Sequence, residues 1–227
     1  MGTKSDNSRY ARAMRIAKVL EQATAKLEEP AVTQIINEYG RNPFFVLVSC
    51  LLSLRTKDTI SLPVSRQLFN RIKTPQELLD LPLSKLQKIV YPTGFFRQKA
   101  KTLHAVSRAL IKTFNGTVPK TEEELLSLPG VGRKTANLVL GEAFGVPAIC
   151  VDVHVHRISN RLGLVKTKTP EQTEVELKKI LPKHLWISWN RLLVIWGQQV
   201  CLPRKPRCAS CAIRNLCRRV GVWTRKL

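Results

Sequence analysis

The sequence predicts an all-α protein, and three observations carry that prediction. Helix-start signals recur along the chain, apolar residues repeat at helical spacing over several stretches, and alternating strand patterns are nearly absent. Thr74-Pro75-Gln76-Glu77, Thr121-Glu122-Glu123-Glu124 and Thr169-Pro170-Glu171-Gln172 each read as a capping box, in which the threonine hydroxyl and the acid or amide three residues on satisfy first-turn N–H groups. Ser84 is placed to cap a further helix running through Leu86, Ile89 and Val90. Helical periodicity fits residues 35–39, 44–54, 99–114 and 175–181, and the best extended candidate, 146–153, is short. Prolines and glycines fall between these helices, with no low-complexity linker and no long-range repeat, so the expectation is compact and helical.

The 227 residues, 44% of them apolar, suffice for one core of ordinary size or two small lobes and lie far from the disordered regime. The charge is unusual: 38 Lys and Arg oppose 16 Asp and Glu, a formal +22. So basic a surface repels itself unless a polyanion is its partner, and nucleic acid is the first candidate because each neutralised phosphate releases counterions. Ribosomal and chromatin proteins share this balance, so charge selects a partner class and no reaction. Beyond Glu176 no acidic residue follows, while Lys178, Lys179, Lys183, Arg191, Arg204, Lys205, Arg207, Arg214, Arg218, Arg219, Arg225 and Lys226 do. A short charge run is usually a solvated face; one sign over the whole final quarter reads as a surface for phosphate. Residues 1–15 are polar and basic without a signal-peptide core, and no stretch reaches membrane-spanning length. The expectation is a soluble, intracellular protein (cytoplasm or nucleoid of a prokaryote, or a nucleus), no membrane, thiols kept reduced, and a monomer as the acting form.

The most informative stretch is Leu125-Leu126-Ser127-Leu128-Pro129-Gly130-Val131-Gly132-Arg133-Lys134-Thr135-Ala136. One helix ends near Ser127, a Pro-Gly-Val-Gly turn follows, and a second helix opens with one apolar face at Ala136, Val139, Leu140, Ala143 and Phe144. Gly130 and Gly132 allow positive φ and bring bare N–H groups close to a bulky partner. At a helix start, those groups suit a DNA phosphate. An ordinary helical hairpin is the bland alternative; a helix-hairpin-helix DNA element fits the charge better. Lys134 falls in the first turn of the second helix. A surface lysine is normally a solvated cation, but unprotonated its amine can attack an electrophilic carbon. Asp152 follows the extended run and precedes a helix through Leu162. It reads as an N-cap, a role compatible with a rigidly held carboxylate that stabilises positive charge or moves protons.

Cys201, Cys208, Cys211 and Cys217 have the spacing C-x6-C-x2-C-x5-C, which in a reduced protein points to metal. Structural zinc usually takes two close cysteine pairs, whereas only Cys208 and Cys211 form one; four thiolates also suit a [4Fe-4S] cluster, and spacing alone leaves both open. Between the first two lie Arg204, Lys205 and Arg207 among two prolines, a loop suited to phosphate contacts. Cys50 and Cys150 sit in apolar surroundings and read as core residues.

Leu128-Pro129-Gly130-Val131-Gly132-Arg133-Lys134-Thr135-Ala136-Asn137, then Val151-Asp152-Val153-His154, then the cysteine box, in that order and over most of the chain, resemble the endonuclease III family of helix-hairpin-helix DNA glycosylases with lyase activity at abasic (AP) sites. The resemblance implies a six-helix domain at 36–146, a second helical domain from 1–35 and 147–227 ending in an iron–sulfur cluster loop, and a DNA-binding cleft flanked by the two. It implies Lys134 as Schiff-base nucleophile, Asp152 as essential carboxylate, and Cys201, Cys208, Cys211 and Cys217 as ligands of a [4Fe-4S] cluster. The partner it implies is double-stranded DNA carrying oxidised pyrimidines or abasic sites. Gly130, Gly132, Arg133, Arg204, Lys205 and Arg207 would contact it. The wedge filling the gap left by a flipped nucleotide would lie in Thr93-Gly94-Phe95-Phe96-Arg97, with Phe95 nominated and a core aromatic as its alternative. Ser53, Arg55 and Lys57-Asp58 would form a second loop near the lesion, and here the sequence departs, since the family usually has Gln where Arg55 stands. Two rivals remain: a monofunctional adenine-type mismatch glycosylase, which usually lacks the lysine, and a non-enzymatic helix-hairpin-helix DNA-binding module, which needs neither the Lys134 and Asp152 pair nor the cluster.

Overall fold

The computed structural model describes residues 4–222, with side chains from residue 7 onward; Arg225 and Lys226 of the basic run lie outside the described residues. Among these residues there is no strand. The chain forms two compact units, Pro30–Val146 and the segments Met1–Glu29 with Pro147–Leu227. Helix α1 (Lys4–Thr24) belongs to the discontinuous unit. The continuous unit holds α2 (Ala31–Tyr39), α3 (Pro43–Ser53), α4 (Asp58–Phe69), α5 (Pro75–Asp80), α6 (Leu83–Val90), α7 (Phe96–Phe114), α8 (Glu122–Ser127) and α9 (Arg133–Phe144). Of these, α5 and α8 are short, six residues each. The discontinuous unit is completed by α10 (Val153–Arg161), α11 (Pro170–Ile180) and α12 (Trp186–Gln199), with 3-10 turns at Lys183–Leu185 and Arg214–Leu216.

In the continuous unit α3 is the central post. Every residue from Phe44 to Leu52 is buried, and α2, α4, α7 and α9 pack around it. A helix apolar on all sides can be stable only inside such a ring. Its start is fixed by Asn42, whose side chain accepts the N–H groups of Phe44 (3.0 Å) and Phe45 (3.3 Å), with Pro43 in the first turn. In the discontinuous unit α1, α10, α11 and α12 close a second core around Trp189, Leu20, Ile16, Val155, Ile158 and Leu177. No helix among the described residues is long and apolar enough to cross a membrane.

The three capping threonines behave as the sequence implies: Thr74, Thr121 and Thr169 accept from Glu77, Glu124 and Gln172 N–H. In two boxes the return bond goes one residue further out, Glu77 taking Lys73 N–H (2.6 Å) and Gln172 taking Lys168 N–H (2.9 Å).

Three sequence expectations are corrected. Ser84 lies inside α6, which begins at Leu83 after Pro82 and has no side-chain cap. Proline and glycine do occur within helices. Pro63 sits in α4 at an exposed position, where it cannot donate to the carbonyl four residues back. Gly197 sits in α12 because a Cβ there would collide with the His154 ring of α10, so the close approach of those helices requires glycine. Residues 146–152 join no sheet, and Val153 already begins α10; the Cys150 carbonyl instead accepts from Asn190 Nδ2 (2.8 Å).

Candidate active site and nucleic-acid interface

The turn between α8 and α9 is shaped by two glycines with different tasks. Gly130 has φ +76°, and a Cβ there would lie 2.6 Å from Thr102 Cγ2 of α7, so the turn rests on that helix only with glycine in place. Gly132 has an ordinary φ of −100°, contrary to the expectation of positive φ at both. Its task is different: it is the exposed N-cap of α9 and offers no side chain to the first-turn N–H groups at the positive helix end. Arg133 and Lys134 are the first two residues of α9, and both are exposed. The Arg133 Nε donates to Glu122 Oε1 on α8 (3.2 Å). Beneath them on α3 lies Cys50, a core residue as expected; burial pushes its thiol up to about 12, with Lys134 pulling the other way.

Asp152 is buried, 9% exposed, at the N-cap of α10. A single oxygen, Oδ1, accepts both the His154 N–H (2.9 Å) and the Val155 N–H (2.8 Å). The far end of α10 holds two arginines that sequence reading missed. Arg157 donates to the carbonyls of Gly197 (3.2 Å) and Cys201 (3.0 Å), and burial lowers the pKa of its guanidinium. Arg161 donates to the carbonyls of Leu202 (2.7 Å) and Pro203 (2.8 Å) and to Cys201 Sγ (3.4 Å). Their spacing of four residues after a capped helix start was the available signal.

Cys201, Cys208, Cys211 and Cys217 line one pocket together with Trp196, Arg161, Ile158 and Ile213. Among the described residues no three His, Cys, Asp or Glu side chains gather as one metal ion would require. Burial pushes the Cys211 and Cys217 thiols up, opposed by backbone N–H groups of Ile213 and Arg219. The Trp196 indole N–H also opposes that rise at Cys211. Donors from Arg161, Arg219 and Trp196 directed at sulfur fit a group carried on thiolates. Within the loop that follows Cys201, Arg204, Lys205 and Arg207 are all exposed. Other cations of the basic run are committed internally: Lys178 to Glu174 (2.5 Å), Lys179 to Glu176 (2.6 Å) and Arg191 to Glu29 (2.6 Å).

Phe95 is 66% exposed, which removes the core-aromatic alternative. It lies next to Arg55 on the surface of the continuous unit, with the guanidinium carbon 5.7 Å from the ring centroid. Asp58, expected to share the loop's outward role, accepts the Ala31 N–H (3.0 Å) at the start of α2 and so serves the scaffold.

Residues 48–183 match the model of the HhH-GPD superfamily of base excision DNA repair proteins, more than half of the chain. Endonuclease III of Thermotoga maritima is 46% identical over 194 residues, 83% of this chain and 91% of that protein. Among solved structures, a non-covalent endonuclease III–DNA complex superposes with a TM-score of 0.83 at 33% identity, over 96% of this chain and 97% of that one. A trapped endonuclease III–DNA covalent intermediate does so with a TM-score of 0.76 at 34% identity, over 91% and 95%. The chain therefore belongs to the endonuclease III family. It is a DNA glycosylase with abasic-site lyase activity in base excision repair.

Proposed function

We propose that Lys134 is the nucleophile and Asp152 the charge-stabilising carboxylate of this reaction. The observation that carries the reading is an exposed lysine in the first turn of a helix capped by a glycine, with no side-chain cap at the end that favours an anion. Gly130, Gly132 and Arg133 hold a backbone phosphate there, so the sugar of a flipped nucleotide comes within reach of the amine. The unprotonated Lys134 amine attacks C1′ and the C1′–N bond to the damaged base breaks, the base leaving with its electron pair and taking up a proton. Asp152 stabilises the positive charge that develops on the sugar. One nitrogen proton passes to O4′ as the sugar ring opens, giving a protonated C1′ Schiff base with Lys134. This makes a C2′ proton acidic, and its removal expels the 3′ phosphate by β-elimination. At an abasic site the same sequence begins at the C1′ hemiacetal and expels water instead of a base.

The substrates are oxidised or ring-saturated pyrimidines such as thymine glycol, and abasic sites, in double-stranded DNA within the cell. Arg204, Lys205 and Arg207 add phosphate contacts, and Arg55 and Phe95 enter the helix at the lesion. Cys201, Cys208, Cys211 and Cys217 would hold a [4Fe-4S] cluster. Four cysteines lining one pocket, with donors facing sulfur, suit such a group. Bound there, the cluster supplies cross-links that shape the basic loop, and the catalytic steps belong to the protein's own residues. Borohydride trapping tests the assignment: damaged DNA gives a covalent adduct with the protein, and Lys134→Gln abolishes it while DNA binding persists. Adduct formation undiminished in Lys134→Gln would move the nucleophile elsewhere.

A further inference from the structure

Lys99 is a charged residue placed where packing alone would call for an apolar one. It is only 8% exposed, in the first turns of α7, and its Nζ donates to two neutral acceptors, the Leu52 carbonyl (2.5 Å) and Thr56 Oγ1 (2.6 Å). Burial lowers its pKa to about 8. A buried cation held only by neutral groups costs stability, so it calls for an account other than core packing.

Its two acceptors supply that account. Leu52 lies in the last turn of α3, where a regular helix would return the Thr56 N–H to the Leu52 carbonyl; here the Thr56 N–H goes to Ser53 instead (3.1 Å). The chain leaves the helix early, and Lys99 satisfies the carbonyl thus released and grips the departing turn through Thr56. That turn carries Arg55 in the left-handed region, at φ +53°. Phe95, immediately before α7, is also left-handed, at φ +59°. Non-glycine residues persist there only where their surroundings over-determine the conformation. The surroundings do so: a Cβ on Gly94 would lie 3.4 Å from the Arg55 carbonyl and 3.9 Å from Thr56 Oγ1, so the two turns approach to contact. The Thr93 hydroxyl ties the second turn back to the Val90 carbonyl (2.8 Å).

We propose that Lys99 is a positioning residue that locks the Arg55 turn and the Phe95 turn into one rigid wedge, which enters duplex DNA as a unit. The proposal rests on the reading of Arg55 and Phe95 as the residues that enter the helix. Lys99 touches no DNA itself; it fixes the distance between the two side chains that do. Without it the Arg55 turn is free to relax away from Phe95, and the wedge becomes two independent loops.

The experiment uses a duplex with a non-cleavable tetrahydrofuran abasic analogue and 2-aminopurine as the opposite base, whose fluorescence rises when it is unstacked. With the full chain at saturation the rise reports insertion, independent of affinity. We expect a clear rise for the wild type and a severalfold smaller one for Lys99→Met, which keeps the length of the side chain and removes both hydrogen bonds. Thr56→Val removes one acceptor and leaves the Leu52 contact; it should move the signal in the same direction, and it decides the matter if Lys99→Met does not fold. In an Arg55→Ala background, Lys99→Met should cause no further loss. A rise in both single variants equal to the wild type's, or losses that simply add in the double variant, would overturn the proposal. Should the wild type form its borohydride adduct and show the rise while both variants match it, this inference alone fails; an absent adduct together with an absent rise would remove the reading beneath it.

Discussion

The two helix starts proposed to carry the chemistry are built in opposite ways. At α9 the cap is a glycine, the first two residues are exposed, and Lys134 is one of them. At α10 the cap is Asp152, buried, with one carboxylate oxygen occupied by two backbone N–H groups. One start has no side-chain cap and so suits an anion; the other is capped internally so that its carboxylate cannot wander. A nucleophile needs access and an electrostatic stabiliser needs fixed geometry, so each end fits the task proposed for it.

Substitution can separate the two duties of Asp152. Asparagine caps a helix about as well as aspartate, whereas alanine forfeits about 1 kcal/mol. Asp152→Asn should therefore unfold like the wild type yet release damaged base slower by about two to three orders of magnitude. Asp152→Ala should add the stability loss. Chemical denaturation and single-turnover base release measure the two halves. Equal base release in Asp152→Asn and wild type would reduce the residue to a cap.

Further along α10, Arg157 and Arg161 grip the cysteine loop. Purified protein should be brown, with about four irons per chain. Cys208→Ala should lose colour, order in the loop and DNA affinity together, because Arg204, Lys205 and Arg207 lose their frame. Arg204→Ala or Lys205→Ala alone should keep the colour and flatten the slope of log affinity against log salt by about 0.9 for each phosphate no longer neutralised. A colourless, folded protein with one zinc would overturn the cluster assignment; an unchanged salt slope would return these cations to a solvated face.

What the sequence can show depends on whether a residue acts within its own neighbourhood. The capping threonines, the hairpin glycines, Asp152 and the cysteine spacing are local patterns, and each is readable from a few neighbours. Lys99 reads only as the start of a helical stretch, because its acceptors lie 43 and 47 residues away and only the packing of α7 on α3 brings them together. Arg157 and Arg161 likewise bond to a loop some 40 residues on. Helix α12 is hidden by Gly197, which reads as a breaker until His154 is placed against it. Helix α1 reads as a merely polar, basic segment, since its apolar side at Ala13, Ile16, Ala17 and Leu20 has meaning only against a core assembled from the other end of the chain.

A smaller effect follows from Lys99. Its pKa falls from an ordinary 10.5 to about 8 through burial. Below pH 8 the lysine is protonated both folded and unfolded, and the cost of burying its charge is fully present. Between about 8 and 10.5 the unfolded chain holds a proton that the folded protein has released, so stability rises with pH, by at most one proton's worth of slope. Denaturant unfolding across that window should show this positive contribution in the wild type and its loss in Lys99→Met. Parallel curves for the two proteins would mean that the ammonium keeps its proton when buried.

The smallest expected effect concerns Arg55, where this chain departs from the glutamine usual in its family. Glutamine offers a base edge both a donor and an acceptor; arginine offers only donors and carries a fixed charge. Arg55 is exposed, and the neighbouring Phe95 ring lies close enough to restrain its guanidinium. A donor-only group held in this way favours an acceptor-rich base, and guanine, with O6 and N7, is the richest. Lesions opposite guanine should therefore be processed faster than lesions opposite adenine. Arg55→Gln should narrow the gap by about 1 kcal/mol, the low end of what one good base contact discriminates. Single-turnover cleavage of one lesion against each of the four bases, in both proteins, measures it. Identical profiles would place Arg55 on the phosphate backbone, where a cation strengthens binding without reading a base, and its contribution would then appear in the salt slope instead.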